Sequence, residues 1–273
     1  MSPLSYRSQN TFSTLSLRSY TVVFLLYEQI DVVMCSCFPA YKCIDTPTAD
    51  RRNLGTLETP TNNYNGAYGL TSAIGVGLFY DEDRMDQWEI DRLGAEAVAL
   101  THGGPTAFLS GAVLTHIMSK LLRKPNAPLK KVVMEAVEAM KEQFGHQYSQ
   151  AFEIATLLRH AITYSETHGV RPVEIMEKLS CDSAAQVLAG AIYACLVSGN
   201  DFDRAMIVSV NHSGRSSAVG AITGAILGIR MGEEALPDFY MECLEPVEIL
   251  REPSNTSKKS FVIPSARVFN SLK

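Results

Sequence analysis

Paired cysteines are missing from this chain. Its six, at positions 35, 37, 43, 181, 195 and 243, fall in no C-x-x-C spacing, and no histidine or cysteine pattern follows Cys35 and Cys37 to suggest zinc. Free thiols of a reducing compartment are the expectation. An excess of basic charge is missing too. The 24 Lys and Arg stand against 29 Asp and Glu, a net charge of −5, which argues against general affinity for nucleic acid or an anionic membrane. No uninterrupted apolar run is long enough for a bilayer. The stretch from Thr21 to Phe38 carries Glu28 and Asp31 and starts too far in for an ordinary signal peptide. Residues 1–20, Ser/Thr-rich with Arg7, Arg18 and no acid, have a weakly transit-peptide-like composition, but a cytoplasmic protein is the expectation.

Strand-like alternation is also absent after residue 80, which points to an all-α fold. Apolar residues make up 46% and charged residues 19% of the 273, enough to bury a substantial core in one large domain or two small ones. Helical spacing begins near Asp83. Met85, Trp88, Leu93, Ala97 and Leu100 fall near one face, and Pro105 suits a first helical position, with Phe108, Ala112, Ile117 and Leu121 as a stripe behind it. Val132, Val133, Ala136, Met140 and Phe144 mark a further helix. Others fit 148–167, 172–179, 183–197, 202–210 and 216–231. The expected organisation is an irregular, loosely attached leader over 1–60, a helical domain over 61–245 and a polar tail over 246–273.

The most informative stretch runs from Val210 to Ala218 and opens a helix in which Gly220, Gly224 and Gly228 share a face. Each glycine costs about 1 kcal/mol against alanine in helix propensity, a cost that close approach of a neighbouring backbone would offset. The apolar part is too short to cross a membrane, so Ser216 to Met231 is expected at the centre of the domain. A glycine-rich start presents free backbone N–H groups and the positive dipole end, which suit an anion. The side chains there are one arginine, two serines and an alanine, where an enzyme would place carboxylates. P-loop, dinucleotide-fingerprint and G-x-S-x-G readings all lack their required residues or context.

Asn211-His212-Ser213-Gly214 and Gly220-Ala221-Ile222-Thr223-Gly224 resemble the C-terminal signature of the ADP-ribosylglycohydrolase family, roughly N-H-x-G-D-S/T-D-S/T-x-G-A-I-x-G. Leu100 to Pro105 is similar to its T-H-x-x-P segment. Asn62 to Gly69, with Gly77-Leu78-Phe79, resembles its N-N-S-K-G-C-G-G…G-L-F stretch. The resemblance implies a compact, orthogonally packed helical bundle. It also implies Mg²⁺-dependent hydrolysis of a glycosidic bond to ADP-ribose, with two aspartates and a hydroxyl at the helix start among the metal ligands.

Against that pattern, the two aspartate positions hold Arg215 and Ser217, and the hydroxyl position holds Ala218. The family's G-D-A-x-G and T-D-D-T segments have no counterpart between Met1 and Asn62, which reads as a truncated or remodelled N-terminal half. Ser72 replaces an arginine, and Ala185 and Gln186 replace a glutamate-bearing helix start. No metal is expected, because a guanidinium repels Mg²⁺ and lone hydroxyls bind it weakly. The resemblance leaves Asn63, Gly66, Gly69, Asn211, Ser213, Gly214, Arg215 and Ser216 as candidate ligand-binding residues. His102 and His212 are the only candidate acid/base groups, with structural roles favoured for both. Two functions compete: the family hydrolysis in impaired form, or a pseudoenzyme that binds ADP-ribose, a nucleotide or a protein partner. Arg215, at a helix N-terminus that disfavours a cation, should turn to solvent or pair with an acid or a bound phosphate.

Overall fold

The computed structural model describes residues 55–80 and 85–242. The tail, most of the leader, and Cys35, Cys37, Cys43 and Cys243 lie outside the described residues. Among the described residues ten α-helices pack into a bundle, and no strand is present there beyond one isolated bridge between Gly66 and Ser183. The helices are α1 (Leu70–Phe79), α2 (Gln87–Ala99), α3 (Pro105–Arg123), α4 (Leu129–Phe144), α5 (Gln150–Ser165), α6 (Pro172–Leu179), α7 (Ala184–Ser198), α8 (Phe202–Val210), α9 (Ser216–Met231) and α10 (Asp238–Glu242). Among the described residues no helix is long and apolar enough to cross a membrane.

Local sequence explains most of the boundaries. Proline opens α3 and α6, where its missing N–H would have no intrahelical partner. Asp86 and Asp201 accept backbone N–H bonds at the starts of α2 and α8, and Ser183 with Gln186 forms a capping box on α7. The start and end residues of α6, α8 and α9 agree with the helical spacing.

Two features differ from the periodicity. Helix α1 was not anticipated, because Leu70 to Phe79 is apolar nearly throughout and holds Gly75 and Gly77. Gly77 lies against α3, where a Cβ would come within 2.7 Å of the Thr115 carbonyl oxygen. In α2 the buried face is Ile90, Asp91, Gly94, Ala95, Val98 and Ala99, not the Met85–Trp88–Leu93 stripe, and Trp88 is half exposed. The face is set by close approach to α3. A Cβ on Gly94 would overlap Thr115, and the Val98 side chain fills the space above Gly111.

Helix α3 packs against α1, α2, α4, α5, α7 and α9 and is buried along most of its length. It shares the centre with α9, which is buried from Ala218 to Ile229 between α7 and α8. Gly220 admits the Val210 side chain of α8, and Gly224 is buried. Cys181 and Cys195 are free, buried thiols.

Candidate functional site

The first turns of α1, α3, α7 and α9 are joined by a chain of loop contacts. The loop before α1 passes between two of them: Gly104 N–H donates to the Tyr64 carbonyl at 3.1 Å, and Ala184 N–H donates to the Asn65 carbonyl at 3.0 Å. Asn62 ties the same loop to the start of α3, with Nδ2 donating to the Thr101 carbonyl at 2.9 Å and Oδ1 accepting from Gly103 N–H at 3.0 Å. The loop between α6 and α7 then meets the start of α9, where Arg215 N–H donates to the Cys181 carbonyl at 2.8 Å.

Glycine permits these approaches. A Cβ on Gly104 would sit 2.1 Å from Asn65 Oδ1, and one on Gly214 would sit 2.5 and 2.7 Å from the Ser180 and Cys181 carbonyl oxygens. Replacing Gly214 by alanine is therefore expected to destabilise the protein by about 2 kcal/mol through overpacking against rigid backbone. Urea denaturation checks this, and an unchanged midpoint would show that the loops do not meet so closely.

The electrostatics of these four helix starts are distinctive. None of α1, α3, α7 and α9 carries an acidic residue in its first turn. Helices α2, α5, α6 and α8 carry Glu89, Glu153, Glu174 and Asp203 there, and α4 is the other long helix with none. Four positive dipole ends thus lack first-turn carboxylates, an arrangement that favours an anion.

Arg215 sits among them and is paired. Its Nε–H donates to Asp182 Oδ1 and to the Asp182 carbonyl, both at 2.9 Å, and its guanidinium lies 5.6 Å from the centre of the Tyr68 ring. Of the two outcomes expected for this arginine, pairing with an acid is the one observed. The pair is partly solvated, with side chains 33% and 72% exposed, so its net contribution to stability is at most about 1 kcal/mol. The preceding turn is strained. Ser180 has φ 63°, ψ −30° and Cys181 has φ 47°, conformations that cost on the order of 1–3 kcal/mol each in a non-glycine residue. Burial, with the nearby Glu177 charge, pushes the Cys181 thiol up to about 12, which keeps it from acting as a nucleophile.

The two histidines are held differently. His212 Nε2 faces the Ser209 carbonyl at 2.9 Å, and its Nδ1 faces Gly214 N–H at 3.1 Å. A carbonyl can only accept and an amide N–H can only donate, so the ring is the Nε2–H tautomer with both nitrogens bound to backbone. His102 is fully buried, hydrogen-bonded through Nδ1 to Thr101 Oγ1 at 2.8 Å, and packed against Gly69 and the Tyr64 ring. Burial pushes its pKa down to about 4.

Among the other candidates, Asn211 Nδ2 donates to the Ile207 carbonyl at the end of α8, at 2.7 Å. Ser216 Oγ donates to the His212 carbonyl at 3.1 Å. Ser213 donates through both its N–H and its hydroxyl to Glu177, and these bonds hold the Glu177 carboxyl below its usual range. Gly66 and Gly69 are buried at the start of α1, Asn63 and Ser217 are exposed, and Ala218 is buried.

Sequence reasoning missed Asp182, Glu177 and the ring of Tyr68. The available signal for Asp182 was its place immediately before the capping box. Gln186 Oε1 accepts from Ser183 N–H at 3.0 Å and from Asp182 N–H at 3.3 Å, so the residue read as a lost glutamate holds the turn that presents Asp182. No group of three or more His, Cys, Asp or Glu able to hold a metal occurs among the described residues. Asp182 is engaged by Arg215 and Glu177 by Ser213, so this donor set does not fit Mg²⁺, which demands several uncommitted oxygen ligands.

Comparison with known proteins gives the family context. A protein of Archaeoglobus fulgidus described as uncharacterized is 29% identical over 167 residues, a match covering 60% of this chain and 49% of that protein. The chain therefore aligns with about half the length of this relative. The family match runs over residues 41–261 and takes in all ten helices and every residue of the site. By that match, which covers most of its length, the chain belongs to the ADP-ribosylglycohydrolase family.

Proposed function

We propose that this chain binds an ADP-ribose-like anionic ligand at the joined helix starts and does not hydrolyse it. The observation that carries this reading is Arg215, which stands at the position of the family's first signature aspartate and is held in the site by Asp182. A guanidinium there repels a divalent cation, whereas it can bind a phosphate through charge-assisted hydrogen bonds. Four helix starts without first-turn acids leave their positive dipole ends uncompensated by first-turn carboxylates. The family reaction would need a metal to polarise the bond and position water, and neither Ser217 nor Ala218 replaces the missing ligands. Both His212 nitrogens are bound to backbone, and His102 stays neutral within the core, so neither stands as a general acid. The reading takes the protein to be cytoplasmic, since the unpaired thiols of Cys181 and Cys195 suit a reducing compartment.

Calorimetry with the full chain tests this. ADP-ribose is expected to bind equally well with and without a chelator, and Arg215→Ala to weaken binding about ten-fold, the worth of one charge-assisted contact. Saturable micromolar Mg²⁺ binding, or Mg²⁺-dependent release of ADP-ribose from an ADP-ribosylated substrate, would overturn the proposal. So would a wild-type protein that ignores ADP-ribose.

A further inference from the structure

We propose that Asp182 is an internal competitor for the ligand's phosphate: its carboxylate takes the Nε–H edge of the Arg215 guanidinium in the free protein and is displaced when a phosphate or pyrophosphate group binds at that edge. The inference rests on the anion-binding reading above and adds a regulatory contact to the same site.

Three observations converge on it. The Asp182 carboxylate is attached to the site only through Arg215, since no other hydrogen bond to it occurs among the described residues. It is 72% exposed, so it can rotate into water without burying or stranding a charge. The chain on both sides is anchored independently of that carboxylate. On one side, Cys181 Sγ lies buried against the Met176 carbonyl, and the Cys181 carbonyl receives Arg215 N–H. On the other, Gln186 holds Ser183 N–H. Release of the Asp182 side chain therefore leaves the loop in place.

The backbone geometry points the same way. Among the described residues, Ser180 and Cys181 are the only non-glycine residues with positive φ, and they directly precede Asp182. A loop that merely linked α6 to α7 could use glycine at these positions without strain. Here the strained turn directs both the carbonyl and the carboxylate of Asp182 onto one N–H of Arg215. Strain kept at such a point is the mark of a position that the surrounding structure enforces.

The ligand chemistry follows from the exchange. The group that replaces a carboxylate on a guanidinium must be planar-matching or multiply anionic, and phosphate satisfies the guanidinium fork at higher charge. The positive dipole end of α9, which carries no acid in its first turn, favours that extra charge. In the free protein the pair keeps Arg215 neutralised at a helix start that would otherwise disfavour it.

A double-mutant cycle read by calorimetry with ADP-ribose and with inorganic pyrophosphate tests this. Asp182→Ala is expected to tighten ADP-ribose binding about ten-fold, with Asp182→Asn, neutral but still an acceptor, in between. In an Arg215→Ala background the same Asp182→Ala change is expected to alter affinity less than about two-fold, because the competitor then has nothing to hold. An equal gain in both backgrounds would mean that removing any negative charge suffices, and would overturn the proposal. Wild type that binds ADP-ribose, with Asp182→Ala no tighter, would overturn the competition while leaving the binding function standing. No binding of either probe by wild type or Asp182→Ala would overturn both. The Arg215 Nε–H resonance in the ¹⁵N spectrum gives a second readout: saturating pyrophosphate should shift it, and an unmoved resonance on binding counts against the exchange. Thermal melts of each variant confirm the fold, and Asp182→Asn serves if the alanine variant fails to fold.

Discussion

Asp91→Ala is expected to destabilise the protein by about 2–6 kcal/mol, at about 1–3 kcal/mol for each hydrogen-bonding group left without its partner. Asp91 of α2 and His116 of α3 meet at 2.7 Å with both side chains 4% exposed. The other carboxylate oxygen accepts from Gln87 Nε2 at 2.6 Å, and Gln87 Oε1 accepts from Ser119 Oγ at 3.2 Å. Burial raises the Asp91 pKa, while the hydrogen bonds from His116 and Gln87 pull it down. Removing the carboxylate strands His116 Nδ1 and Gln87 Nε2 inside the interface between α2 and α3. The penalty comes from those orphaned groups rather than from the lost attraction. Replacing the pair together by Asp91→Val with His116→Leu, about the same combined volume, is therefore expected to cost less than Asp91→Ala alone. Urea denaturation of the three proteins decides it. A double variant less stable than the single one would show that the pair itself, not its unsatisfied remainder, holds the helices.

The same network shows where the sequence was hard to read. A carboxylate on the buried face of a helix breaks the apolar rhythm, so the large residues Met85, Trp88 and Leu93 appeared to mark the inner face of α2. The true face sets Ile90 and Val98 beside small residues, Gly94 and Ala95, which let α3 approach, and Asp91, which is buried with His116 opposite. Helix α1 was hidden for a related reason. A segment buried on most sides has no polar face, and two glycines lower its helical propensity. Where helices keep one wet face, as in α4, or carry a capping signal, as in α8, the periodicity was legible and the boundaries agreed closely with the structure.

In the site, the identity of the motif residues was legible and their partners were not. The substitution of arginine and serine for carboxylates could be read directly, and so could the dilemma of a cation at a helix N-terminus. The resolution of that dilemma lies 33 residues away, in the turn before α7. The capping box that follows Asp182 marks a helix start but does not point to Arg215 as its partner. The pairing exists because Gly214 lets the start of α9 approach the Ser180 and Cys181 carbonyls, and because Gln186 fixes the turn from the other side. His212 is the converse case. Its position beside a glycine-rich turn suggests chemistry, whereas Ser209 and Gly214 on either side use both its nitrogens as a backbone brace.

His102 is expected to make stability fall by about 3 kcal/mol between pH 7 and pH 4, at 1.36 kcal/mol for each unit between its unfolded and folded pKa values. The unfolded value is 6.5 and burial lowers the folded one to about 4. Near pH 7 the ring is neutral in both states and adds no penalty. As pH falls below 6.5 the unfolded chain takes up a proton that the folded protein refuses, so unfolding becomes progressively easier, and the loss levels off once the folded ring also protonates near pH 4. The refusal is geometric. The ring lies under Gly69, where a Cβ would come within 2.8 Å of its Cγ and Nδ1, with Tyr64 5.1 Å away and no solvent contact. The depressed carboxyls of Glu138 and Glu177 give up their contributions at still lower pH, and the raised Asp91 acts in the opposite direction. The difference between wild type and His102→Asn, not either curve alone, therefore isolates this ring. Asparagine keeps a polar atom near Thr101 Oγ1 and carries no titrating group. Urea unfolding at intervals from pH 7 to pH 4 should show the two proteins converging by most of this amount as the pH falls. Parallel curves would mean that His102 protonates within the fold, and that the joined helix starts are open to water from beneath.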